Sequence, residues 1–154
     1  MPPLTDIEAA ERLIMAMVVG TLLGLEREKA EKPAGVRTYM LVVEGATLFM
    51  ICAIMLGEQF TSVGIPSDPS RIASTVVQGI GFIAAGVILT TNREVIGLTT
   101  AAGIWVATAL GLLIGAGYYT IAIVATVATL TALIALREVE QRFMRTKPRH
   151  KSDD

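Results

Sequence analysis

Residues 34–57 read AGVRTYMLVVEGATLFMICAIMLG. From Thr38 to Gly57 the run is twenty residues long and holds one charge, Glu44. A helix of that length rises about 30 Å, the thickness of a bilayer's hydrocarbon core. The stretch is therefore read as a membrane-crossing helix, which makes the carboxylate inside it the first feature to explain.

The rest of the chain agrees. Its 154 residues are 53% apolar, with a mean hydropathy of +0.60. The apolar residues fall in long runs with the charges between them, the pattern of a multispanning membrane protein. A net charge of -1 gives no bulk attraction to nucleic acid. With Cys52 the single cysteine and His150 the single histidine, a disulfide within the chain is impossible and a His/Cys zinc site is not expected. The opening residues, MPPLTDIEAAERL, are acidic where a secretory signal would be basic. No cleaved signal is expected, and the first apolar helix directs insertion.

Five segments have the length and character of spans: roughly 6–26, 38–57, 69–90, 96–115 and 118–136. Thr5 and Glu8 form a T-x-x-E capping box ahead of the first, and its strictly apolar part, Leu13 to Leu25, is short. Asp68-Pro69 reads as an N-cap followed by proline at the first helical position of the third. The fold expected is all-α and polytopic: a five-helix membrane domain over 1–144, then a basic tail, 145–154, expected to be disordered. Eleven of the thirteen basic residues lie in the first and third inter-span loops and the tail, and only Arg12 and Arg71 lie on the other side. The positive-inside rule then puts the N-terminus outside and the C-terminus in the cytoplasm.

Small residues set how such helices pack, because lipid supplies no hydrophobic drive between them. The first span has Gly20 and Gly24; the fourth has Gly103, Ala107, Gly111 and Gly115; the fifth has Ala125, Ala128, Ala132 and Ala135. In the third, Arg71, Thr75, Gln78, Gly79, Phe82 and Gly86 share one wedge, opposite Ile72, Val76, Ile80, Ile83 and Val87. The polar, small wedge is expected to point into the bundle.

Glu44 lies about 9 Å below the cytoplasmic end of its span by helix rise, and an unpaired charge near the bilayer centre costs about 2.5–3.5 kcal/mol. Protonation, pairing or a cation would relieve that. Arg37 stands two turns away on the same face; Glu26 and Arg27 end the first span on the same side; Asn92, Thr99 and Thr100 lie near the cytoplasmic ends of spans three and four. Available metal ligands are oxygens, with Glu44, Glu26 and Asp68 the candidates, and hard oxygen donors suit Mg2+ or Ca2+. Gly79 to Ala84 match G-x-G-x-x-A, but inside an apolar span, with no preceding strand and no later acidic residue, no nucleotide site is expected.

Several stretches, in order, resemble the membrane domain of the MgtC/SapB family: GLERE (24–28), AGVRTYMLV (34–42), GATLF (45–49), DPSRIAS (68–74), VVQGIGFIAAGVI (76–88), GLTTAAGIW (97–105) and GAGYY (115–119). The resemblance covers about residues 13–125. It implies a multi-pass protein of the bacterial inner membrane, linked to magnesium homeostasis. Many members are labelled magnesium transporters, and others are tied to regulation of membrane proteins such as the rotary ATP synthase. Motif residues carried over are Glu26, Arg27, Gly35, Arg37, Thr38, Asp68, Arg71, Gly79, Gly81, Phe82, Gly86, Gly97, Thr99, Thr100 and Trp105. The family pattern has a small or uncharged residue where this chain has Glu44, so no family role passes to it. Gln78 also departs from the pattern, which has serine there.

Two functions follow as expectations. In the first the protein moves or binds Mg2+ as ligand or substrate, with no resident cofactor. In the second it is a non-transporting module that docks on another membrane protein through its small-residue ridges. No nucleophile–base pair or cofactor motif suggests an enzyme. The bilayer and a second copy, as a homodimer, are the expected partners.

Overall fold

The computed structural model describes residues 4–91 and 94–144. They form α1 (Asp6–Lys29), α2 (Val36–Ser62), α3 (Ser70–Ala85), β1 (Leu89–Thr91), β2 (Glu94–Ile96), α4 (Leu98–Gly115) and α5 (Tyr119–Met144). The architecture is therefore helical with one small hairpin. Asn92 and the basic tail lie outside the described residues.

Local chemistry explains the ends. At α1 the capping box is complete: the Glu8 backbone N–H donates to Thr5 Oγ1 and the Thr5 N–H to Glu8 Oε2. At α3 the Asp68 carboxylate accepts from the Ser70 N–H at 2.9 Å, and hydrogen bonding by the Ser70 hydroxyl and N–H holds its pKa below the usual aspartate value. Pro69, with φ -59°, is the N-cap, one residue earlier than a first helical position. The first turn of α2 lacks a side-chain cap from its own N-cap, Gly35. Glu28, eight residues upstream, supplies one, its Oε2 accepting from the Val36 N–H at 3.0 Å.

The third segment stops earlier than its hydropathy suggests. The α3 helix ends at Ala85, and the chain turns into β1, paired antiparallel with β2 in the register Leu89↔Ile96, Thr90↔Val95. Gly97 makes the return possible: its φ is 94°, and a Cβ there would collide with the Val87 carbonyl. Sixteen residues of α3 give about 24 Å of rise.

Among the described residues, three helices are long and apolar enough to cross a membrane: α2, α4 and residues 119–139 of α5. The α1 helix is long, but its acidic start and the Glu26–Lys29 end leave too short an uncharged window.

The core lies where α1 and α4 pack on α2. Its fully buried side chains include Leu23, Tyr39, Val43, Ile104, Leu110 and Ile114. The two glycine ridges build it. A Cβ on Gly20 would sit 2.6 Å from Met40 Cα, and one on Gly24 would strike Val36 Cα. On α4, Gly111 meets the Val43 carbonyl and Gly115 the Met50 side chain. Both ridges are therefore consumed inside the bundle and are not free for a partner, which corrects the docking surface expected of them. The α3 helix packs mainly on α4, while α5 is attached most lightly, with Ala128, Ala132 and Ala135 exposed.

Candidate functional site

Polar groups gather in the core at one end of the bundle. Arg27 and Glu26, 2% and 9% exposed, form the one ion pair among the described residues. Arg27 Nε donates to Glu26 Oε2 at 2.6 Å and Nη2 to Oε1 at 3.1 Å. The remaining guanidinium nitrogen, Nη1, is buried with no hydrogen-bond partner among the described residues. Tyr39, fully buried, stands near this pair, and its hydroxyl donates to the Thr100 carbonyl at 3.3 Å. Thr100 is itself 1% exposed. Lower in the bundle, Thr47 Oγ1 donates to the Gly111 carbonyl at 2.9 Å. These two bonds tie α2 to α4 where both are dry.

Gly103 exists for Tyr39. A Cβ at 103 would overlap the tyrosine hydroxyl. Gly103→Ala should therefore destabilise the fold by about 2 kcal/mol, in the range of core overpacking. Tyr39→Phe, which removes the clashing oxygen, should recover part of that in the double variant. Thermal unfolding of all four proteins in detergent gives the cycle, and strict additivity would refute the contact.

The metal candidates are not brought together. Glu26 is committed to Arg27; Asp68 caps α3 from an exposed loop at the opposite end of that helix from Ala85; Glu44 is in the middle of the first half of α2. Among the described residues no three His, Cys, Asp or Glu side chains stand close enough to hold an ion. Glu44 is half-buried and has no ion-pair partner among the described residues; Arg37, expected near it, is exposed. The antiparallel register that sets Gly24 against Val36 and Gly20 against Met40 places Glu44 level with Ala16, at the edge of the α1–α2 seam. It faces neither the core centre nor the outer surface fully.

The wedge on α3 is reversed from expectation. Ile80 and Ala84 are buried and Ile72, Val76 and Val87 half-buried, whereas Arg71, Thr75, Gln78, Gly79 and Gly86 are exposed and Phe82 is 88% exposed; of the apolar face only Ile83, 51% exposed, looks outward as expected. A Cβ added at Gly79 or Gly81 would meet nothing within 4 Å. Lipid gives apolar side chains no drive toward a core, so steric fit decides which face packs, even though it leaves the Gln78 amide outward where lipid cannot satisfy it. Branched Ile80 beside small Ala84 supplies that fit.

Between α2 and α3 runs an open apolar groove of about 840 Å³, with Arg37 and Thr38 at one mouth and Gly45, Ile80 and Thr108 along it. Of the other motif residues, Gly35 lies against the Glu28 carboxylate, Thr99 is exposed, and Trp105 is 53% exposed on the outer side of α4. Glu28, Tyr39 and Thr47 were not singled out from the sequence. Only Glu28 carried a signal, as the last acidic residue of GLERE before the glycine that opens α2.

Comparison with known proteins adds an independent line. The model of the MgtC family matches residues 13–142. YhiD of Escherichia coli (strain K12), whose name provisionally assigns it to magnesium transport, is 43% identical over 134 residues, covering 86% of this chain and 62% of that protein. Protein MgtC of Salmonella typhimurium (strain 14028s) is 41% identical over 131 residues, covering 85% and 53%. An uncharacterized protein, slr0014, of Synechocystis sp. (strain PCC 6803) is 39% identical over 146 residues, covering 95% and 59%. The chain thus spans a little over half the length of the curated relatives it matches. No solved structure matches it.

Proposed function

The chain belongs to the MgtC family, and on that premise we propose that it serves magnesium homeostasis as a docking module, engaging a transmembrane helix of another membrane protein. It sits in the bacterial inner membrane with five spans, its N-terminus outside and its C-terminus in the cytoplasm. One observation carries the reading: the outward face of α3. Gln78 is the ninth of the sixteen residues of that helix, so in the five-span arrangement its amide lies near the bilayer centre. Lipid offers it neither donor nor acceptor. A partner helix with a hydrogen-bonding side chain would satisfy it, Gly79 and Gly81 would let the backbones approach, and Phe82 would insert as a knob.

A photo-crosslinker at position 78 should trap a membrane partner, whereas one at buried position 80 should not. Gln78→Leu should weaken the association by about 1 kcal/mol, roughly fivefold. Equal trapping at both positions would sink the idea, and trapping of a second copy alone would make the partner the chain itself.

Glu44 favours a second reading, Mg2+ transport, because a half-buried intramembrane carboxylate with no ion-pair partner among the described residues suits a passing cation. Mg2+ flux into proteoliposomes holding the pure protein, abolished by Glu44→Gln, would establish that reading in place of the first.

A further inference from the structure

Where α1 ends beside the later part of α5, a cleft of about 440 Å³ opens between them. Its volume falls within the roughly 300–1,000 Å³ of small-ligand sites. Leu22 and Leu25 of α1 and Leu130 and Ile134 of α5 line it on the side toward the middle of the helices. Lys29, Arg137, Glu26 and Glu138 line it on the side toward their ends. The two helices run in the same direction here. Leu22 to Lys29 and Leu130 to Arg137 each rise about 10 Å, so aliphatic walls and charged rim are stacked at matching heights.

The charges on the rim do not cancel. Glu26 is already neutralised by Arg27, at 2.6 Å. Lys29 and Arg137 remain, against Glu138 alone, and neither cation has an ion-pair partner among the described residues. We infer that this cleft holds the phosphate of an anionic phospholipid, headgroup between Lys29 and Arg137, with an acyl chain along the leucines. The inference rests on α5 being a span, for which its length and apolar character qualify it, and not on the docking role of α3. The amphiphile matches the cleft at both ends: apolar in the hydrocarbon, anionic at the boundary, where basic residues between helices attract phosphate headgroups. Tethering also gives the lightly packed α5 a second attachment to α1.

Native mass spectrometry of the full chain in detergent, titrated with phosphatidylglycerol or phosphatidylcholine, tests it. Phosphatidylglycerol should bind more tightly. Lys29→Gln and Arg137→Gln should each weaken it roughly fivefold, and the pair about thirtyfold. Lys29→Arg should retain binding, which separates loss of the site from loss of the fold. Lys32→Gln, removing an exposed cation outside the cleft, should leave binding unchanged. An equal loss in Lys32→Gln, equal affinity for phosphatidylcholine, or displacement by inorganic phosphate at the same concentration would each overturn the assignment. Crosslinking at position 78 is expected to be unaffected by the Lys29 and Arg137 substitutions.

Discussion

Gly24→Leu should break the bundle. A Cβ at position 24 strikes the Val36 Cα, which is backbone and has nowhere to yield, and the Val36 nitrogen stands 2.9 Å away. Overpacking a core typically costs about 1–3 kcal/mol, and more where the obstacle is rigid. Here an entire isobutyl group must be accommodated, so α1 must move off α2 and the buried surface of Ala16, Val19 and Leu23 is disturbed with it. We expect a loss of about 3 kcal/mol or more, seen as an unfolding midpoint in detergent many degrees lower and as aggregation during gel filtration. Gly45→Ala is the matched comparison. Gly45 lies on the same helix as Val36, a Cβ there meets nothing within 4 Å, and the exchange should be neutral or stabilising by up to about 1 kcal/mol. If the two substitutions behave alike, the close approach of α1 and α2 is refuted.

The second large effect is expected at the buried ion pair. Removing one partner of such a pair leaves an uncompensated charge and costs about 3–5 kcal/mol, whereas replacing both by apolar groups of similar volume is often neutral. Glu26→Gln should therefore destabilise strongly, because Arg27 is 2% exposed and its Nη1 already lacks a partner among the described residues. The double variant Glu26→Leu/Arg27→Met, apolar at both positions, should recover most of the loss. Thermal unfolding in a common detergent compares them, and a single variant as stable as the parent would mean that the pair is solvated. Any effect of Glu26 on function must be separated from this structural role by working with the double variant.

Much of the fold was legible because it is written locally. The capping box at Thr5 and Glu8, the Asp68 turn before α3, and the apolar runs of α2, α4 and α5 each depend on residues within a few positions of one another. Gly20-x-x-x-Gly24 and the ridge from Gly103 to Gly115 were recognisable as packing surfaces, since in lipid only small residues let backbones meet. The site was less legible. Glu26, Arg27 and Thr100 could be named from motifs, but Tyr39 looked like any aromatic residue of an apolar span. Its importance comes from a hydroxyl that fits over Gly103, sixty-four residues away. Glu44 attracted attention for its charge, and its place at the edge of the α1–α2 seam follows from a helix register that no local pattern encodes.

The sequence by itself determined that this is a mainly helical chain with long apolar helices, where most of those helices begin, and which residues permit close contact. Hydropathy and capping are one-dimensional properties, so they survive without a fold. Only the tertiary structure decided that both glycine ridges are spent within the bundle, that α3 stops at Ala85 to make room for a hairpin, and that Gln78 and Phe82 face outward. The first and last of these turn on a choice between helix faces, and for α3 polarity alone would have made that choice the other way. It is made by which side chains interlock, a property of pairs of helices brought together and not of any one of them.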